Sequence, residues 1–295
     1  MEEYSQGVIM IKYFGLVAII VLFGLTFEAR AQDIGQQFEG FNLQGYTDDG
    51  EKSWDVNGAT ADVMGTKIKL TDVNANAYEN QNVNIKADSG IVDQTSGEME
   101  LLDDVIVTTD DGAELRTDSL YWNREEDTVS TEDKVLITDD GFTVSGVGLE
   151  AQPGMKRSQI NHDVRALVDI DIDRDSDGNT KKNVDGKEKQ ILTITSDGPM
   201  LMDQAKLMAS FEDNVVAVQA NQKLKADRME VFFNSDMDDV IEIICIGSVE
   251  IVQGENKTYA SRAVFNRQTQ RLTLSGRPKL ILLTEGTGAI TSFGN

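Results

Sequence analysis

From Gly45 onward, apolar and polar residues alternate with a period of two. The runs Val83-x-Ile85-x-Ala87, Val105-x-Val107, Val135-x-Ile137, Met229-x-Val231-x-Phe233, Ile241-x-Ile243, Val249-x-Ile251 and Leu272-x-Leu274 all show it. Alternation places successive side chains on opposite faces of an extended chain, so each run predicts a half-buried β-strand. Turn-forming clusters separate the runs: Asp110-Asp111-Gly112, Asp139-Asp140-Gly141, Asn234-Ser235-Asp236 and Gln253-Gly254-Glu255-Asn256. No stretch after residue 32 has the period of an amphipathic helix. The three prolines, Pro153, Pro199 and Pro278, fall at expected strand ends, where a missing N–H does least harm.

The pattern also repeats. Residues 85–92 align with 115–122, with 224–231 and, more loosely, with 258–265. Small residues Ala87, Thr117 and Ser145 anchor copies in the first half, and Ser196, Ala226 and Ala260 in the second, with steps of 30, 28, 30 and 34 residues. A period near 30 fits one pair of strands per repeat, and units that cannot bury their own face must stack. Between Ser145 and Ser196 the step is 51, and the polar stretch 171–190 reads as an acidic linker or long loop between two β-modules, 45–170 and 191–295. Within repeats, Ala226 to Met229 and Thr117 to Leu120 are odd steps. Keeping all four residues inside requires an extra residue at Asp227-Arg228 and at Asp118-Ser119, which is a β-bulge that bends the sheet into a trough. A parallel β-helix is the minor fold alternative.

Residues Phe14 to Phe27 are uncharged and strongly apolar, preceded by Lys12 and followed by Ala29-Arg30-Ala31. Residues 1–31 read either as a cleaved signal peptide or, counting from Val8, as a helical inner-membrane anchor over 8–27. Both readings export the rest of the chain.

Charge narrows the partners. The net charge is −24, and residues 1–31 account for only −1 of it. A phosphate-binding face must be basic, so no nucleic-acid partner is expected. An anionic partner would have to be held by an apolar part or through divalent cations. One cysteine, Cys245, and one histidine, His162, exclude an intrachain disulfide and a Cys/His zinc site. Cys245 reads as a small core residue. His162 stands in a polar stretch with no nucleophile elbow anywhere in the chain. Asp173-x-Asp175-x-Asp177-Gly178 resembles the start of a calcium loop, but Val184 occupies the position where a bidentate Glu is needed. Gly146-x-Gly148-x-x-Ala151 runs straight into Pro153-Gly154, so no helix N-terminus follows to receive a pyrophosphate. No catalytic residues and no cofactor are expected.

The apolar stripe is the strongest feature. Residues 45–170 resemble the LptC family of lipopolysaccharide-export proteins through Trp54–Gly58 (WDVNG), Lys86–Gly90 (KADSG), Leu115–Asn123 (LRTDSLYWN), Ser145–Leu149 (SGVGL) and Asn161–Val164 (NHDV). Residues 192–278 resemble the related OstA/LptA module through Ser196–Pro199 (SDGP), Phe211–Val215 (FEDNV), Leu224–Asp227 (LKAD), Gly247–Val249 (GSV) and Leu274–Pro278 (LSGRP). The resemblance implies two stacked antiparallel open β-jelly-roll modules and a non-catalytic periplasmic role. It implies receipt of lipopolysaccharide from an inner-membrane ABC transporter and edge-strand pairing with other OstA-like modules.

On that reading, lipid acyl chains lie along the inward stripe. Its residues are Val107, Leu115, Leu120, Trp122, Val135, Ile137 and Val144 in the first module. In the second they are Val215, Leu224, Met229, Val231, Phe233, Ile243, Val249, Ile251, Phe265 and Leu274. Two other readings remain open: a structural or adhesive β-repeat protein without lipid, and a polysaccharide-acting enzyme on a parallel β-helix.

Overall fold

The computed structural model describes residues 36–282, apart from 47–48, 79–81, 111, 124–125, 140, 153–154, 173–187, 236 and 238–239. The N-terminal helix expected over 8–27 and the acidic Asp173–Asp177 motif lie outside the described residues. Among the described residues no helix is long and apolar enough to cross a membrane.

The chain is a succession of strands. The first group is β1 (Gln36–Tyr46), β2 (Lys52–Met64), β3 (Lys67–Ala77), β4 (Val83–Asp93), β5 (Met99–Thr109), β6 (Glu114–Asn123), β7 (Thr128–Asp139), β8 (Phe142–Gln152) and β9 (Arg157–Ile172). The second is β10 (Glu188–Ser196), β11 (Met200–Asp203), β12 (Met208–Gln219), β13 (Gln222–Phe233), β14 (Val240–Gln253), β15 (Asn256–Asn266), β16 (Arg271–Ser275) and β17 (Lys279–Ile281). A 3-10 turn at Gln204–Lys206, capped by Asp203, is an element the periodicity did not show.

Each strand pairs antiparallel with the next, from β1 to β9. The pairing is antiparallel as expected, and the parallel ladder of the minor β-helix alternative is not found among the described residues. β10 and β11 are two segments of one row, both lying between β9 and β12. β16 and β17 likewise share the free side of β15. Pro199 and Pro278 stand in these two interruptions, where no ladder hydrogen bond is needed from them.

The sheet does not stop at the compositional break. Glu188 faces Ile172 and Ser196 faces Val164, so the strands that flank the acidic segment pair directly. The buried side chains divide elsewhere. One cluster gathers residues of β2–β6, including Trp54, Leu101, Val105 and Trp122. The other gathers residues from β7 to β15, including Val135, Ile160, Phe211 and Val249.

A seam of bends crosses the sheet. Register slips between Lys86 and Ser89, Leu102 and Val105, Glu212 and Val215, and Ile246 and Val249. The slips occur at the expected height, but the extra residues are not where the alternation placed them. They lie in the neighbouring strands, as left-handed pairs Asp103-Asp104, Asp213-Asn214 and Gly247-Ser248. In β13 the odd step is absorbed by two successive residues, Asp227 and Arg228, outside the core, with Ala226 and Met229 buried on either side. The neighbour then supplies the longer path, using Asp, Asn and Gly, which tolerate positive φ. Backbone hydrogen bonds join the seam from strand to strand: Asp163 N to Asp197 O (3.1 Å) and Asp197 N to Asp213 O (3.0 Å).

Candidate functional site

Pairing register converts the alternation of single strands into rows running across them. One row passes through Val56, Ala75, Ile85, Val107, Leu115, Ile137 and Val144, each opposite the next. It continues through Ala166, Ile194, Ala217, Leu224 and Ile251. Every member is apolar, and the row crosses from β9 to β10 without a break. A second row, on the other side of the seam, runs Leu149, Ile160, Met200, Phe211, Met229, Cys245, Ala263 and Leu274. Directly opposed side chains have Cβ atoms about 4.5–5.5 Å apart, so each row is a continuous apolar strip.

The expected stripe residues fall mostly on these strips. Leu120 and Trp122 are buried in the first cluster, with Val107 and Leu115 packed half-buried against it. Val135, Val144, Val215, Met229, Val231 and Val249 are buried in the second. Ile137, Leu224, Phe233, Ile243, Ile251 and Leu274 pack half-buried against that second cluster. Val135, Ile137 and Val144, expected with the first module, thus pack with the later strands. Phe265 is half-buried opposite Ile243 and Leu272, outside both clusters. Sequence reading missed Leu101, Leu149, Ile160, Ile194, Met200 and Phe211, all buried. Their signal was weak: Leu101 stands just before the Asp103-Asp104 bend, and Leu149 follows two glycines.

An apolar cavity of about 80 Å³ opens among β4–β8. Leu101, Val107, Leu115, Leu120, Trp122 and Leu149 line it, so four of the expected residues meet there. Trp122 faces Met99 and Val129 across the strands. Its Nε1 is buried and has no hydrogen-bond partner among the described residues. A larger open concavity of about 680 Å³ lies at the seam beside Asp104, Arg116, Asp118, Lys134 and Asp163. Val105, Ile106, Val135, Leu136 and Val147 share its lining with these charges.

Charged groups elsewhere are structural. Asp55 is buried and takes hydrogen bonds from Asn76 Nδ2 (2.9 Å) and Tyr78 Oη (2.7 Å), with Lys52 as its ion-pair partner. Burial opposes its ionisation, but these bonds outweigh that and hold its carboxyl below the usual value. Asp203 is held low in the same way: burial opposes, and Lys206 (Nζ at 3.0 Å) and Arg157 prevail. Burial pushes the Cys245 thiol up to about 12, so it stays protonated within the second strip. His162 Nδ1 lies 2.9 Å from Asp163 Oδ2 on the exposed seam, with no nucleophile in the pair.

Comparison with known proteins accounts for both parts of the chain. Residues 26–169 match the family of lipopolysaccharide-assembly, LptC-related proteins. Residues 193–291 match the family of LptA/(LptD N-terminal domain) LPS transport proteins. No curated protein matches the chain. An LptC-related stretch and an LptA-type stretch thus stand in one polypeptide, and both family descriptions are of lipopolysaccharide assembly or transport.

Proposed function

We propose that this chain, an LptC-related stretch joined to an LptA-type stretch, carries lipopolysaccharide in the periplasm. It receives the lipid from an inner-membrane ABC transporter and passes it toward the outer membrane, with the acyl chains lying on the apolar strips. The modules are 45–170 and 191–295, joined by the acidic segment 171–190, with 1–31 as export signal or anchor. The contact residues are those of the inward stripe.

The observation that carries this reading is the row from Val56 to Ile251, which stays apolar through the β9–β10 junction. An ordinary core needs apolar residues in clusters; a conduit needs them in line from one module to the next. Each methylene removed from water contributes about 0.8 kcal/mol. A few acyl chains therefore supply affinity without basic residues, which reconciles a net charge of −24 with an anionic cargo. β1 and the β16–β17 row end the sheet, each paired on one side only among the described residues. Both can extend the path by pairing with other modules of the same kind.

The test is in-cell photocrosslinking with a benzophenone amino acid at Trp122 and Phe233, and at exposed Asp227 as control, blotted for lipopolysaccharide. Adducts at the two inward positions and none at Asp227 establish the conduit. Adducts at no position, in exported and folded protein, replace it with the structural or adhesive reading.

A further inference from the structure

Val56, Ala75 and Ile85 are buried, so the residues that alternate with them turn to the other face of β2–β4. That outward face carries a patch of amides. Asn42, Asn57 and Asn74 directly oppose one another, and so do Gln44, Asp55, Asn76 and Asn84. Asparagine is depleted in strands, where its side chain offers the backbone competing hydrogen bonds. Beyond Asn84 the second row continues as Thr108, Glu114, Thr138, Thr143, Leu167 and Thr193, and threonine, a good strand former, takes most of its polar positions. Solvation alone would be met by threonine throughout. Asparagines concentrated on β1–β4 therefore break a local rule, as functional sites do. What an amide adds is two donors and an acceptor held in one plane.

The patch is also built. Asp55 is 4% exposed, pairs with Lys52, and accepts from Tyr78 Oη (2.7 Å) and Asn76 Nδ2 (2.9 Å). Asn84 Nδ2 donates to Asn74 Oδ1 and Asn76 Oδ1, both at 2.7 Å. These bonds fix the amide planes. Tyr46 is 60% exposed beside them and presents a ring face. With its one carboxylate neutralised by Lys52, the patch is a near-neutral island on a chain of net charge −24, which suits an uncharged polar ligand. Strand and residue spacings give it a side of about 14 Å, room for a short oligosaccharide.

We propose that the outward face of β1–β4 binds an uncharged oligosaccharide, the amides of Asn42, Asn57 and Asn74 pairing with its hydroxyls and the Tyr46 ring lying against the C–H face of a sugar. Two adjacent hydroxyls, each both donor and acceptor, match the donor and acceptor of one amide. The sugar chain is either that of the lipid cargo or a separate glycan. The apolar strip and this patch use opposite faces of the same strands, so the inference stands whether or not acyl chains lie on the strip.

The test uses the exported chain labelled with 15N, with the side-chain amide signals followed by NMR. Three probes are titrated in turn at millimolar concentration: maltotriose, triacetylchitotriose, and the saccharide released from lipopolysaccharide by mild acid. The expected result is saturable shifts of the Asn42, Asn57 and Asn74 amides with at least one probe. Binding of the lipopolysaccharide saccharide identifies the cargo's own sugars; binding of either other trisaccharide without it identifies a separate glycan. One neutral hydrogen bond corresponds to roughly a 3- to 10-fold change in affinity. Asn57→Thr should weaken binding by that factor while the thermal midpoint holds or rises, because threonine is the better strand former. A purely structural asparagine would not separate the two readouts. Tyr46→Ala, at an exposed position, should weaken binding with the fold intact. Failure of all three probes to shift these amides overturns the proposal, as does wild-type affinity in both variants. Neither result touches the acyl-chain reading, which the crosslinking above tests by itself.

Discussion

Val231 is 4% exposed and sits between Ala209 and Ile243. An arginine there would bury an unpaired charge, at a cost of several kcal/mol, so Val231→Arg should lower the thermal midpoint sharply and abolish lipid carriage with it. Leu224 is a more discriminating position because it is half-buried on the first apolar row. Leu224→Arg can turn its charge to solvent; circular dichroism should stay native while crosslinking of lipid at Phe233 falls. Asp55 gives a pH dependence whose sign is fixed. Its folded carboxyl sits below the usual value, so its stabilisation is present above the unfolded value of about 4 and is lost as pH falls through the folded one. The urea midpoint of wild type should drop on acidification below about pH 4, and that of Asp55→Asn should drop less. Single residues were legible from sequence where alternation was clean, as at Leu120, Trp122 and Met229. The orphan N–H of Trp122 was not, because whether a donor is satisfied depends on side chains from other strands.

At the scale of elements, the bends are the informative case. The odd steps Thr117–Leu120 and Ala226–Met229 correctly marked the height of the seam. They could not show which strand takes the extra residue, since a step of three and a step of four are two halves of one irregularity in adjacent strands. Gly247 carries one such half at φ +73°, with the Asp227 side chain packed where a Cβ would stand. Gly247→Ala should cost more than the roughly 1–2 kcal/mol of left-handed strain, because the Asp227 side chain must also move aside, read as a lower urea midpoint with unchanged slope. The same substitution at Gly254, a turn glycine at φ +58° with open space around it, should cost only the strain. The apolar rows were also hidden from sequence. Alternation assigns a residue to a face, whereas a row exists only once turns and bulges have set the register between strands.

At the scale of the whole molecule, the two family matches and the two buried clusters do not share a boundary. The matches part between residues 169 and 193, whereas the clusters part between β6 and β7. β9 and β10 therefore share one packed interior across the point where the composition changes, and the amides of these two strands should show equal hydrogen-exchange protection because they open together. Sequence supplied the module order through short motifs. It did not supply the merged interior, because the 51-residue step between Ser145 and Ser196 resembles a linker regardless of how the flanking strands pair. That direct pairing, Ile172 with Glu188 through Val164 with Ser196, means the covalent link at 173–187 duplicates a connection the ladder already makes. Cleaving the backbone there turns one chain into a pair of complementary polypeptides. Co-expressed as separate genes, one ending at 172 and the other starting at 188 behind a copy of residues 1–31, they should find each other and co-purify as a pair, giving this protein a ready-made split-reporter architecture.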